Sequence, residues 1–130
     1  MSAAAQNRES LLRQPGAAIF VFPEGEHRPP GELPLRLERG VETLARMSQV
    51  PSVPVAIRYA FFEHERPDVL LDIGRPHPPL RLADYQRRLE ERVAALQVVT
   101  RLEGFRPLLE GHRGVAERWD AVRGLGEGGR

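Results

Sequence analysis

Apolar residues fall along this chain in two patterns, short unbroken runs and helical stripes. Residues 17–22 form one run, Ala-Ala-Ile-Phe-Val-Phe, stopped by Pro23-Glu24-Gly25, and Val53-Pro54-Val55-Ala56-Ile57 opens a second about thirty residues later. Such runs, rich in β-branched and aromatic side chains and bounded by turn formers, are expected as strands buried on both faces. Strands are predicted over 17–22, 53–61 and 69–73. The last two are joined by the charged turn Glu63-His64-Glu65-Arg66-Pro67-Asp68, whose length suits a hairpin or a short return connection. Between the first two runs, Leu37, Val41, Leu44, Ala45 and Met47 recur at helical spacing, so a helix over 37–48 is predicted, with Gly40 tolerated near its first turn. Strand, loop, helix and strand in that order make a βαβ unit.

The flanks read as helical. Residues 3–13 have helix-forming composition and stop at Pro15-Gly16. The stretch Gly74-Arg75-Pro76-His77-Pro78-Pro79 suits neither a strand nor a helix interior, and after it Leu82, Tyr85, Leu89, Val93, Leu96 and Val99 mark one face of a long helix. Phe105, Leu108, Leu109, Val115, Trp119 and Val122 predict a further helical hairpin with a break near 111–114. The Gly-rich charged residues 124–130 are expected to be disordered. The fold class is thus α/β: a sheet of about three strands with flanking helices over 1–80, C-terminal helices over 81–123, and a tail over 124–130.

Composition narrows the function classes. At 130 residues the chain is one domain at most. Its 19 basic residues, all Arg, face 18 acidic ones for a net charge of +1, so no global field draws it onto nucleic acid, and no nucleic-acid partner is expected. With no Cys, disulfides and thiolate metal sites are excluded. No stretch approaches the roughly eighteen apolar residues of a membrane span, and the first residues are too polar for a signal peptide, so a cytoplasmic protein is expected.

The loop after the first run holds the candidate chemistry. Residues 23–34 carry four prolines, two glycines and five charged or titratable side chains, a stiffened polar loop. Pro23 cannot extend a ladder and Gly25 can take a positive φ, which leaves Glu24 at the rim of the sheet, where α/β folds build their sites. Arg28 places a forked cation within reach, suited to a phosphate. The plain alternative is a strand-terminating turn with solvated charges.

The order apolar strand, Phe22-Pro23-Glu24-Gly25, polar loop, helix and Val53-Pro54-Val55-Ala56-Ile57 resembles the 1-acylglycerol-3-phosphate acyltransferases, also called lysophospholipid acyltransferases. The resemblance covers residues 14–76, roughly half the chain. It implies a partial acyltransferase-type sheet in which Glu24 and Gly25 help bind a glycerol-phosphate acceptor, with Arg28 as the phosphate contact. It implies as partners a lysophospholipid or glycerol-phosphate-like acceptor and an acyl-CoA or acyl carrier protein donor, with attachment at the inner membrane surface and no cofactor. In that family Thr-Arg usually follows the motif. Here Glu26-His27 intervenes and Arg28 lies one position later, so the acceptor need not be lysophosphatidate.

The same family carries a His followed five residues later by an Asp. An alcohol attacking a thioester needs a base, and a neutral imidazole oriented by a carboxylate supplies it near pH 7. No His here has Asp at that spacing. His27 precedes Glu32 and His112 precedes Glu117 by five, which among 4 His and 18 acids reads as coincidence. His64 and His77 are expected to be solvent-exposed, and no metal-ligand spacing appears. Ser10, Ser48 and Ser52 lack a nucleophile elbow. No catalytic residue is therefore assigned. The upstream strands that would carry the pair are missing from the pattern, and the chain is expected to be an acceptor-binding half, inactive alone, with a second chain completing its sheet. The alternative is a non-catalytic module that docks through its C-terminal helices.

Overall fold

A β-hairpin and the helix laid across it organise the molecule, a computed structural model that describes residues 3–63 and 65–111. The elements are α1 (Ala3–Leu12), α2 (Gly40–Ser48), β1 (Val55–Ala60), β2 (Asp68–Ile73) and α3 (Leu82–Gln97). β1 pairs antiparallel with β2, in register from Val55 opposite Ile73 to Ala60 opposite Asp68. Strand alternation turns Ala56, Ala60 and Leu70 inward, where they are buried. α3 covers that face: Leu96 completes a core with Ala56 and Leu70, around which Phe62, Val93, Val99 and Phe105 pack.

Charged side chains from distant segments tie the ends of α3. Helix ends leave backbone groups without intrahelical partners. At the C-terminal end the Arg58 guanidinium donates to the Leu96 carbonyl at 2.5 Å and to the Val99 carbonyl at 2.8 Å. At the N-terminal end, Arg81 makes no side-chain cap, and Glu42 of α2 instead accepts the Leu82 N–H at 2.5 Å. A carboxylate there also meets the positive end of the helix dipole. Midway, Arg92 pairs with Asp72 of β2 at 2.5 Å. A Cβ on Gly74 would lie 2.5 Å from the Arg92 Nε, so a side chain there would push the guanidinium aside.

The ladder resumes beyond the hairpin. Gly74 N–H donates to the Pro54 carbonyl at 2.8 Å, and Ser52 and His77 exchange both backbone bonds at 2.9 Å. Residues 53–54 thus oppose 74–76, one extra residue on the second strand, a bulge.

Several expectations hold. The turn after residue 61 closes an antiparallel hairpin, the long helix begins at Leu82, and a short helix precedes Pro15-Gly16. Others are corrected. Residues 17–22 form no strand: the segment is unpaired, with Phe20 88% and Phe22 83% exposed. The predicted three-stranded sheet has two strands among the described residues: the hairpin is present and the βαβ crossover is not. A hairpin closes a short loop, whereas a parallel crossover must order some thirty residues, so of the two expected pairings the hairpin has the smaller entropy to overcome. The helix predicted over 37–48 starts at Gly40. Phe105, Leu108 and Leu109 lie in irregular chain rather than in a helix. The predictions for His64, for residues 112–123 and for the tail fall outside the described residues. No described helix is long and apolar enough to cross a membrane.

Candidate functional site

The loop 23–34 closes around one guanidinium. Arg28 Nη1 donates to Glu24 Oε1 at 3.0 Å and to the Pro34 carbonyl at 3.0 Å, while Nη2 faces Glu32 Oε2 at 3.3 Å. Glu24 Oε1 also accepts the Arg36 N–H at 3.4 Å. The Arg28 side chain is only 13% exposed, a cation largely covered by its own loop. The sequence pairs Glu24, Gly25 and Arg28 as site residues, and the structure does bring the carboxylate and the guanidinium together.

Gly25 has a φ of 70°, the left-handed region, and a Cβ there would lie 2.8 Å from Glu38 Cγ. Glycine at this point therefore serves both the turn and the close approach of Glu38, whose N–H donates to the Pro23 carbonyl at 2.7 Å. The far end of the loop is pinned to α3. Glu90 Oε1 accepts the Leu35 N–H at 2.9 Å and a Gln86 amide hydrogen at 3.0 Å, and the Gln97 side chain donates to the Gly31 carbonyl.

Sequence reasoning weighs Glu32 only as a chance neighbour of His27 and gives no role to Glu38, Glu90 or Gln97. Glu32 had a signal, lying four residues after Arg28. Glu90 and Gln97 had none, because their partners are far away in sequence and a solvated helix face looks the same.

Of the histidines, His27 is exposed and has no bonded carboxylate. His77, expected at the surface, is buried at 5% exposure. Its ring stacks obliquely on Tyr85 at 5.2 Å, and its Nδ1 lies 2.9 Å from the Pro78 carbonyl, which can only accept, so the proton sits on Nδ1. Tyr85 in turn shares a hydrogen bond of 3.1 Å with Ser52 Oγ. The flanking prolines suggested exposure, yet the Ser52 bridge draws the ring under α3. Neither described histidine bonds a carboxylate among the described residues, and no metal-binding cluster occurs among them.

A separate open cleft of about 530 Å³ is lined by Glu42, Arg46, Pro79, Leu80 and Arg81. None of Glu24, Gly25 or Arg28 borders it. Its carboxylate is already committed to the start of α3. Compared with known proteins, the chain matches no family model, no curated protein and no solved structure.

Proposed function

We propose that the loop 23–34 is an acceptor site and that the chain is an acyltransferase-type domain. Its reaction is transfer of a fatty acyl group from a CoA or carrier-protein thioester to the hydroxyl of a glycerol-phosphate-like acceptor. The observation that carries this reading is the pairing of Glu24, in Phe22-Pro23-Glu24-Gly25, with Arg28 three residues past that motif.

The pair leaves complementary groups for such a ligand. Arg28 Nε–H and Glu24 Oε2 have no partner among the described residues. A phosphate monoester takes the guanidinium edge, and Glu24 Oε2 accepts a hydrogen bond from an acceptor hydroxyl. The Arg28–Glu32 contact is the one to give way, since at 3.3 Å with Glu32 half-exposed it is a weak surface pair. Acyl transfer also needs a base to take the hydroxyl proton, and no described histidine is placed for it. The chain alone therefore binds acceptor without turnover. A second chain that completes the sheet, taking up the unpaired run 17–22 as a third strand, supplies the base in this reading.

The test titrates glycerol-3-phosphate into the purified chain and assays thioester-dependent acylation of the same acceptor. Weak binding without turnover is expected, because loss of a general base costs about 10² to 10⁴ in rate. A robust rate abolished by His27→Ala would instead place the base in this loop, and absence of any binding would remove the acceptor site. The reading of a module docking through its C-terminal helices has less support, because the apolar face of α3 is turned onto the hairpin.

A further inference from the structure

The hairpin has a second apolar face, which no described residue covers. Val55, Ile57 and Tyr59 alternate with the inward residues of β1 and stand opposite Ile73, Leu71 and Val69, so every cross-strand pair on this side is apolar. Phe61 extends the row past the end of β1. From Ile57 onward these side chains are between 36% and 70% exposed. Patches of this kind on a folded protein mark interaction sites.

We propose that this face is the interface of a homodimer, the hairpin of one chain packing face to face on the hairpin of a second copy. The area is sufficient. A half-exposed large apolar side chain leaves about 80 to 100 Å² to cover, so the seven residues offer on the order of 600 Å² per copy. Two copies bury roughly 1,200 Å², which reaches the range of specific, stable interfaces. The face is also self-complementary. It carries no charged strand position, whereas the opposite side of the same strands holds Arg58 and Asp72, so a two-fold apposition sets no like charges against each other. Two such sheets pack about 10 Å apart with their side chains interleaved. None of Glu24, Gly25 or Arg28 takes part, and dimerisation stands or falls apart from acceptor binding.

Sedimentation equilibrium of the full chain tests this. A reversible monomer–dimer equilibrium is expected, and Ile57→Glu shifts it toward monomer by about tenfold or more in Kd by placing a carboxylate in a desolvated contact. Leu109→Glu, at a 94% exposed position off the hairpin, leaves the equilibrium unchanged. Circular dichroism checks that Ile57→Glu is folded, and Val69→Lys on the neighbouring strand is the second variant should it not be. A chain that stays monomeric at every concentration overturns the proposal. So does a dimer indifferent to both hairpin variants, or assembly beyond the dimer. Monomer that cosediments with phosphatidylglycerol vesicles only while Ile57 is intact assigns the face to lipid and overturns it as well.

Discussion

Residues 17–22 and β1 share Ala, Ile, Val and aromatic side chains, yet one is irregular chain outside the sheet and the other the centre of the fold. The difference lies in what surrounds them. β1 has a complementary strand one short turn away and a helix whose stripe fits its inner face. The run at 17–22 has Pro15-Gly16 on one side and Pro23 on the other, and it pairs with neither strand of the hairpin. β propensity describes a fit to a pleated, half-buried surface, so a run without that surface stays coil however apolar it is. Even β1 meets the sequence expectation only in part, since the structure buries one of its faces and leaves the other open.

The largest effect that would break this comparison comes from two adjacent leucines. Leu70 is 3% exposed in the core and Leu71 is 36% exposed on the open face. Leu70→Ala is expected to destabilise by about 2 to 5 kcal/mol, the cost of emptying a packed site, whereas Leu71→Ala costs under about 1 kcal/mol in the monomer. Urea unfolding at low protein concentration reads both. Equal losses would mean that the two faces of the hairpin are equally covered.

That contrast also shows how much was legible beforehand. The hairpin, α1 and the start of α3 were readable because their signals are local: a charged turn between two apolar runs, and apolar residues three and four apart. The Glu24–Arg28 approach was readable in outline, since four intervening positions in a tight loop keep the two side chains near each other. What was illegible depends on long-range partners. Nothing within 53–61 says that one side will face water, nothing around His77 announces the Ser52 bridge, and no local feature assigns Glu42 to the start of α3 or Glu90 to the loop at Leu35. For 17–22 the composition suits a strand, yet neither β1 nor β2 pairs with it.

A smaller effect sharpens the role of the covering helix. Glu42→Ala removes the acceptor for the Leu82 N–H and a negative charge from the N-terminal end of α3, at an expected cost of about 1 kcal/mol. Hydrogen exchange should then report faster opening of α3 and β1 together. Amides of 17–22, already outside any ladder, should exchange rapidly in both proteins. A Glu42→Ala protein as stable as the parent would show that α3 is capped by water instead.

Phe20→Ser should be nearly silent in unfolding, within about 0.5 kcal/mol, because a ring that is 88% exposed loses little when truncated. A loss comparable to that of Leu70→Ala would prove that the run is packed or paired, and the contrast with β1 would collapse.

The smallest signal belongs to the loop between the two runs. Phosphate or glycerol-3-phosphate is expected to bind near Gly25 and Arg28 with millimolar affinity at best, because the ligand competes with Glu24 and Glu32 for a guanidinium they already hold. In ¹⁵N correlation spectra, ligand-induced shifts should concentrate in residues 24–28. Arg28→Ala should abolish them and Arg75→Ala, in the exposed bulge beyond β2, should leave them intact. Arg28→Lys separates charge from geometry: an ammonium keeps the charge but cannot present a planar edge to the phosphate while bonding Glu24 and the Pro34 carbonyl, so weakened rather than restored shifts are expected. Equal losses from Arg28→Ala and Arg75→Ala would mean that the anion samples a diffuse basic surface, and the loop would then be only the rigid connection between an unpaired run and the helix that follows it.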